Sequence, residues 1–297
     1  MKRIARFFKD LIIAKHALAY GKSRGLVGID FAEYGRSLAF RLYRMNPQLS
    51  RTMLITPLVG PRYFEFDFAW SSLKENPGIC ADVSSPFLFS LRVAETFRNS
   101  KVFISNPDRS DIATTEKLAK NLGILNIQCE SHGVEALAGF TESFDTIWSL
   151  SVIEHISGKD GDSDAVTTMY NSLRPGGRLV LTFPVTKFYR EDHVTQDPYG
   201  TQSKLENGKF FYQRWYDARR IQTRIISRLK NAQISFGYYG ERESGTLVSH
   251  ERSRVAHGRN FTARYPKLMA TDFQIYDSWD AMPGDGVCGL IAEKPYH

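Results

Sequence analysis

Two histidines and a set of carboxylates are the residues in this 297-residue chain whose types and settings could do chemistry. Glu154 and His155 stand where the apolar run of FDTIWSLSVIEHI ends, and the carboxyl end of a strand in an open α/β sheet is where ligands bind. His193 lies in the polar stretch KFYREDHV, with Tyr189, Glu191 and Asp192 beside it and Tyr199 a few residues on. An imidazole titrates near neutrality, so His193 and His155 are the candidate catalytic bases. The competing readings are structural: a solvated loop histidine at 193, and a Glu154 that caps a helix or bonds backbone groups.

The elements that must position these groups follow from pattern. Ile147, Trp148, Leu150, Val152 and Ile153 make a nearly continuous apolar run, as expected of a strand covered on both faces. Asp164 to Leu173 carries Ala165, Val166, Met169, Tyr170 and Leu173 in one helical stripe. Pro175, Gly176 and Gly177 stop that helix, and Arg178 to Phe183 starts the next strand, completing a parallel βαβ unit. Upstream, GICADVSSP (Gly78 to Pro86) reads as a strand and turn before the helical FLFSLRVAETFRN, with Pro86 opening the helix at its first position. Lys101 to Asn106 is a second strand, Ile112 to Gly123 a helix and Ile124 to Glu130 a third strand. The turn Asn106-Pro107-Asp108 is either a ligand contact or an ordinary strand-to-helix connection in which Asp111 caps the helix. Downstream, GKFFYQRWYD leads into a helix from Ala218 to Leu229, and Gln233 to Tyr239 and Gly286 to Glu293 read as the last strands. The 240–285 segment between them is too long for a hairpin connection.

On these blocks, FD-apolar run-EHI followed by LRPGGRLVLTFP, the chain resembles the class I S-adenosylmethionine-dependent methyltransferases. The resemblance implies an α/β, Rossmann-like, doubly wound fold: a seven-stranded, mostly parallel sheet with an antiparallel edge strand. It implies S-adenosylmethionine as cofactor, and it places Asp82, Ser84, Ser85, Asn106, Asp108, Glu130, Ser149 and Glu154 as cofactor-binding candidates, with Ser131 near the adenine. The sequence departs from the family at two places: serines stand at 84 and 85 where glycines are usual, and Asn106 stands where a carboxylate usually takes the ribose hydroxyls. The departures leave a second reading open, a non-catalytic methyltransferase-like binding or scaffold protein; a nicotinamide-dependent oxidoreductase is a third. The aromatic GKFFYQRWYD segment resembles a branch associated with bacterial surface polysaccharides, which implies a glycan or lipid-linked sugar acceptor. Phe210, Phe211, Tyr212, Trp215 and Tyr216 could stack on sugar rings or pack as core.

Composition suits a soluble enzyme, expected in the cytoplasm, and the resemblance implies a small-molecule or glycan substrate. Cys80, Cys129 and Cys288 show neither metal-ligand spacing nor even pairing, so a reducing compartment is expected and no metal is. No apolar run approaches the about 20 residues of a membrane span, and there is no clean secretory signal. The charge is uneven: residues 1–51 hold eleven Lys or Arg against three Asp or Glu, while the remainder is nearly neutral. Residues 1–75 thus read as a basic, partly helical extension and 76–297 as the methyltransferase-like domain. Ile4, Phe7, Phe8, Leu11, Ile12 and Leu18 recur at helical spacing among Lys2, Arg3, Arg6, Lys9 and Lys15. That pattern suits either peripheral contact with an anionic membrane or packing with the basic face in water. Nucleic acid is disfavoured, because the basicity does not continue into the catalytic body.

Overall fold

A computed structural model describes residues 2–197, 205 and 208–296. The chain divides into two compact units, residues 1–70 with 238–287 and residues 71–237 with 288–297. The first unit opens on four helices, α1 (Lys2–Ser23), α2 (Ile29–Leu42), α3 (Pro47–Ile55) and α4 (Arg62–Ser71). Asn46 starts α3 by accepting the Leu49 N–H at 3.1 Å, and Pro47 takes a first-turn position where its missing N–H is no loss. Gly28, at φ +69°, precedes α2; a Cβ there would lie 1.9 Å from the Tyr63 carbonyl oxygen, so the close approach requires glycine.

The second unit runs β1 (Ile79–Val83), α5 (Phe87–Thr96), β2 (Lys101–Ser105), α6 (Arg109–Leu122), β3 (Ile127–Glu130), β4 (Phe144–Leu150), α7 (Gly161–Ser172) and β5 (Leu173–Val185). A hairpin follows, β6 (Arg190–Val194) and β7 (Phe210–Trp215), then the short α8 (Ala218–Arg220) and β8 (Gln233–Glu241). The last residues of β8 enter the first unit, which α9 (Thr246–His257), α10 (Arg259–Thr262), α11 (Tyr265–Asp272) and β9 (Phe273–Tyr276) complete; β10 (Gly286–Glu293) then leads back to the second. In the second unit the strand order is β3-β2-β1-β4-β5-β10-β8, with the first five parallel to their neighbours. The end of β8 pairs antiparallel with β9, so the 240–285 segment contributes one strand beyond the seven expected. This is the mixed α/β, Rossmann-like architecture that the resemblance implies.

The central strands bury nearly every residue. Cys80 to Val83 and Thr146 to Leu150 are all below a tenth exposed, which explains why neither strand shows polar alternation. α6 ends on Gly123 in the left-handed conformation at φ +67°, as its sequence predicts.

Four local readings change. Asp108, not Asp111, caps α6, accepting from the Ser110 and Asp111 N–H groups, because an N-cap side chain bonds forward into the first turn. Pro86 stands at the N-cap of α5, one residue before the first helical position. α7 stops at Ser172 and β5 begins at Leu173, so Pro-Gly-Gly lies inside the strand rather than ahead of it. There Gly176, at φ +74°, donates its N–H to Lys294 O, and a Cβ on it would meet the Tyr296 ring. Finally, the stretch after β5 is not an open loop but the β6–β7 hairpin; between its strands 198–204 and 206–207, Tyr199 among them, lie outside the described residues.

One ionic cluster fixes that hairpin to the connection between β4 and α7. Asp162, fully buried, accepts from Tyr216 OH at 2.8 Å and Arg224 Nε at 2.8 Å, while Arg214, 3% exposed, donates to the Ile156 carbonyl at 2.6 Å and to that of Gly158. Burial alone would raise the Asp162 carboxyl, but Arg224, Arg214 and Tyr216 outweigh it and hold the group below the ordinary carboxylate value. Removing one member of such a buried pair leaves an uncompensated charge. Asp162→Asn is therefore expected to cost about 3 kcal/mol of stability in urea unfolding; a midpoint within error of the parent would show that the cluster does not hold the hairpin.

Candidate active site

The carboxyl ends of the parallel strands are joined side to side by hydrogen bonds from their own residues. Asn106 N donates to Glu130 O at 3.1 Å, joining the ends of β2 and β3. Ser84 donates twice to Ser105 O, from its N at 2.8 Å and its Oγ at 3.1 Å, joining β1 to β2. Ser85 Oγ accepts the Leu150 N–H at 3.0 Å and Ser149 Oγ donates to Val83 O at 3.2 Å, joining β1 to β4. Ser151 N donates to Thr182, carbonyl at 2.9 Å and hydroxyl at 3.0 Å, joining β4 to β5. Hydroxyl-bearing side chains thus take up backbone groups that the sheet ladder no longer pairs at its edge.

Asp82 organises the first of these turns. It is fully buried, accepts the Ser85 N–H at 2.9 Å and the Ser90 hydroxyl, and lies across the ladder from Trp148, whose indole N–H donates to Ser90 Oγ at 3.2 Å. Burial pushes the Asp82 carboxyl up to about 6, with the bonds from Ser90, Ser85 and Trp148 opposing the rise. The Ser85 N–H and the Ser90 hydroxyl thus converge on one buried carboxyl. The turn that results holds Ser84 at φ +57°, a conformation natural to the glycine usual there, and Ser151 at the next tip sits at φ +50°. Two of the four non-glycine residues with positive φ among the described residues flank the gap between β1 and β4, and such strain concentrates at functional sites.

The candidates named from sequence therefore divide. Asp82, Ser85 and Ser149 are all buried and engaged inside the protein, holding the turn and the neighbouring tip. Asn106 closes its own turn, accepting the Asp108 N–H at 2.9 Å and donating to Asp111 at 3.0 Å, and Asp108 is the helix cap. Glu130, at the end of β3, takes a 3.3 Å bond from Gln128. Beside it the Ser131 hydroxyl is buried with no hydrogen-bond partner among the described residues. Ser105, which sequence reading passed over, folds this segment back by donating to the carbonyls of His132 at 2.8 Å and Gly133 at 2.6 Å. No spacing in the sequence marks Ser105, Ser90 or Ser151, since Ser105 and Ser151 bond groups distant in the chain and Ser90 bridges the side chains of Asp82 and Trp148.

Glu154 and His155 form one 3₁₀ turn (Ile153–His155) directly after β4. Glu154 is buried and its Oε1 lies 3.8 Å from His155 Nε2. His155 Nδ1 is 2.8 Å from Tyr212 O, and because a carbonyl only accepts, Nδ1 carries the proton. In the neutral ring Nε2 is then the basic nitrogen, with a carboxylate placed to stabilise the imidazolium once it gains a proton. The same bond ties β7 of the hairpin to the tip of β4. His193, on β6, is not in this arrangement: its ring packs edge-on to Phe211 at 6.1 Å. Asp192 on the same strand accepts from Gln213 at 2.9 Å and the Trp215 indole at 2.7 Å, and Tyr189 donates to Glu191. Of the aromatic segment, Phe211 and Tyr216 are core, whereas Phe210, Tyr212 and Trp215 keep partial exposure.

Comparison with known proteins bears on this site. A family described as a methyltransferase domain matches residues 88–181, the span from α5 into β5. A tRNA U34 carboxymethyltransferase of Desulfotalea psychrophila is 36% identical over 59 residues, 20% of this chain. The match spans 18% of that protein's length. Among solved structures, phosphoethanolamine N-methyltransferase 2 of Haemonchus contortus, in complex with phosphomonomethylethanolamine and S-adenosylhomocysteine, has a TM-score of 0.50 at 12% identity, covering 86% of this chain and 57% of that one. The same enzyme with S-adenosyl-L-methionine gives 0.50 at 11%, over 86% and 56%. At such identity the likeness speaks for the fold. Residues 88–181 thus match a methyltransferase domain, and the likeness to the solved structures shows a Rossmann-like fold.

Proposed function

We propose that the protein transfers a methyl group from S-adenosylmethionine to an oxygen or nitrogen of a small-molecule or glycan acceptor, a sugar carried on a lipid included, in the reducing cytoplasm. The observation that carries this reading is the chain of hydrogen bonds that gathers the ends of β1 to β5 into one edge within a domain matched as a methyltransferase. The donor set is compatible with the cofactor. The unpartnered Ser131 hydroxyl and the Glu130 carboxylate stand at the end of β3, where the family holds the adenine, and the strained Ser84 turn stands where the donor meets backbone.

S-adenosylmethionine supplies an activated methyl group on a sulfonium. What remains for the protein is to hold the two reactants in line and take a proton from the acceptor. His155 Nε2 is the group that takes the proton, since Tyr212 fixes its tautomer and Glu154 favours the protonated ring. His193 serves as a hairpin side chain near the acceptor entrance. The partly exposed Phe210, Tyr212 and Trp215, with Gln213 at 2.9 Å from Asp192, supply flat apolar faces and polar edges of the kind that sugars use. The residues 1–70 and 238–287 act as an accessory unit to this domain.

The scaffold reading keeps one specific support, the Asn106 amide spent within its own turn. Isothermal titration decides between the two. S-adenosylmethionine and S-adenosylhomocysteine are expected to bind one site, with the nicotinamide cofactor silent; no heat with either at millimolar ligand points to the scaffold. Asp82→Asn replaces an acceptor by an amide while keeping the shape, and is expected to weaken that binding about tenfold, the loss of one buried charged hydrogen bond; undiminished affinity in a folded variant detaches Asp82 from the donor turn. Asp82→Ala is a poorer probe, since it strands the buried donors of Ser85 and Ser90.

His155→Asn retains an N–H for Tyr212 O and removes the base. With labelled S-adenosylmethionine and a glycan extract as acceptor, methyl transfer is expected to fall about 100-fold or more, with donor affinity kept and the ascending limb of the pH profile lost. An unaltered pH profile removes His155 from proton transfer.

A further inference from the structure

We propose that the outward face of α1 is a docking surface for an anionic lipid bilayer. The helix has two faces of different character. Its inner face is settled in the first unit: Ala14 forms a buried cluster with Ile55 and Ala263, against which Phe7, Leu11 and Ile13 pack. Its outer face exposes Ile4 at 64%, Phe8 at 56% and Ile12 at 57%. Each step of four residues turns the helix by about 40°, so these three form a single strip rather than scattered contacts. Large apolar side chains lined up in water call for a covering.

The charges around the strip identify what covers it. Arg6, Lys9, Lys15 and His16 are exposed beside or beyond it, and the one acidic residue of the helix, Asp10, is turned to the inner face, 2% exposed and 3.3 Å from the Asn260 amide. The outer face therefore carries apolar and cationic groups and no carboxylate among its described residues. A second copy of the chain would set two such faces against each other with like charges opposed. A nucleic acid would leave the isoleucines and the phenylalanine without an apolar counterpart. An anionic membrane satisfies both components at once: acyl chains take the strip while lipid phosphates take the cations. The binding is interfacial, because no helix among the described residues is long and apolar enough to cross a bilayer. The helix orientation is already set by the inner-face packing, so binding needs no rearrangement of α1.

Sedimentation of the full chain with vesicles tests the proposal, and its outcome is independent of which methyl donor or acceptor the second unit uses. The chain is expected to partition at least about tenfold more strongly into phosphatidylcholine–phosphatidylglycerol vesicles than into phosphatidylcholine alone, and to be released by salt. Replacing the strip, Ile4→Ser with Phe8→Ser and Ile12→Ser, is expected to lower partition at least about tenfold while the thermal unfolding curve stays in place, since these side chains make no core. A second variant, Lys9→Glu with Lys15→Glu, is expected to abolish the preference for the anionic lipid. Equal binding to both vesicle types overturns the proposal, as does a strip variant that binds like the parent. So does a chain that sediments as a dimer dissolved by the strip variant, or one that duplex DNA strips from vesicles.

Discussion

Burying the Asp82 carboxylate is the constraint on which the carboxyl edge of the parallel sheet depends. A charge placed at the centre of a sheet covered on both faces must be met by donors, and here they come from the turn it controls, Ser85 N–H, and from the helix beyond, Ser90. Meeting them fixes the path of the chain out of β1, forces Ser84 to positive φ, and delivers Ser84 and Ser85 to the tips of β2 and β4. The serines that replace the usual glycines thus cost conformational ease but supply the side-chain bonds that tie one tip to the next. The rise of the Asp82 carboxyl toward about 6 is the electrostatic trace of this arrangement.

A second buried anion governs the β6–β7 hairpin. Asp162 draws Tyr216, Arg214 and Arg224 into one cluster, and the hairpin from Arg190 to Trp215 is held by it to the segment that carries Glu154 and His155. His155 then closes the connection by donating to Tyr212 O. The same bond that holds the hairpin also decides which nitrogen of His155 carries the proton, so the position of the hairpin and the tautomer of His155 are one structural fact.

Much of this was legible in residues. The run before Glu154 and the stripe from Ala165 to Tyr170 give the βαβ unit, because continuous burial and helical periodicity are local patterns. Gly123 marks its helix end for the same reason. What stayed hidden depends on partners distant in sequence. Pro175-Gly176-Gly177 looks like a helix stop, yet Gly176 and Gly177 exchange backbone bonds with Lys294, which lengthens β5 backwards. The β6–β7 hairpin is polar and aromatic without alternation, since its buried Arg214 is satisfied by carbonyls of another loop. Asn106 reads equally as a ribose contact or a turn residue, and its bonds with Asp108 and Asp111 depend on how the turn folds. The residues at the strand ends lie near one another in the fold; which of them hold the turns is a matter of hydrogen bonds that no spacing encodes.

Amide hydrogen exchange with and without S-adenosylhomocysteine probes the gathered strand tips most directly. Slowed exchange is expected at residues 82–86, 105–108, 130–133 and 150–155 alone, with the remainder of the chain unaltered. Protection appearing elsewhere, or exchange at these four segments indifferent to saturating ligand, would contradict a cofactor site at those tips.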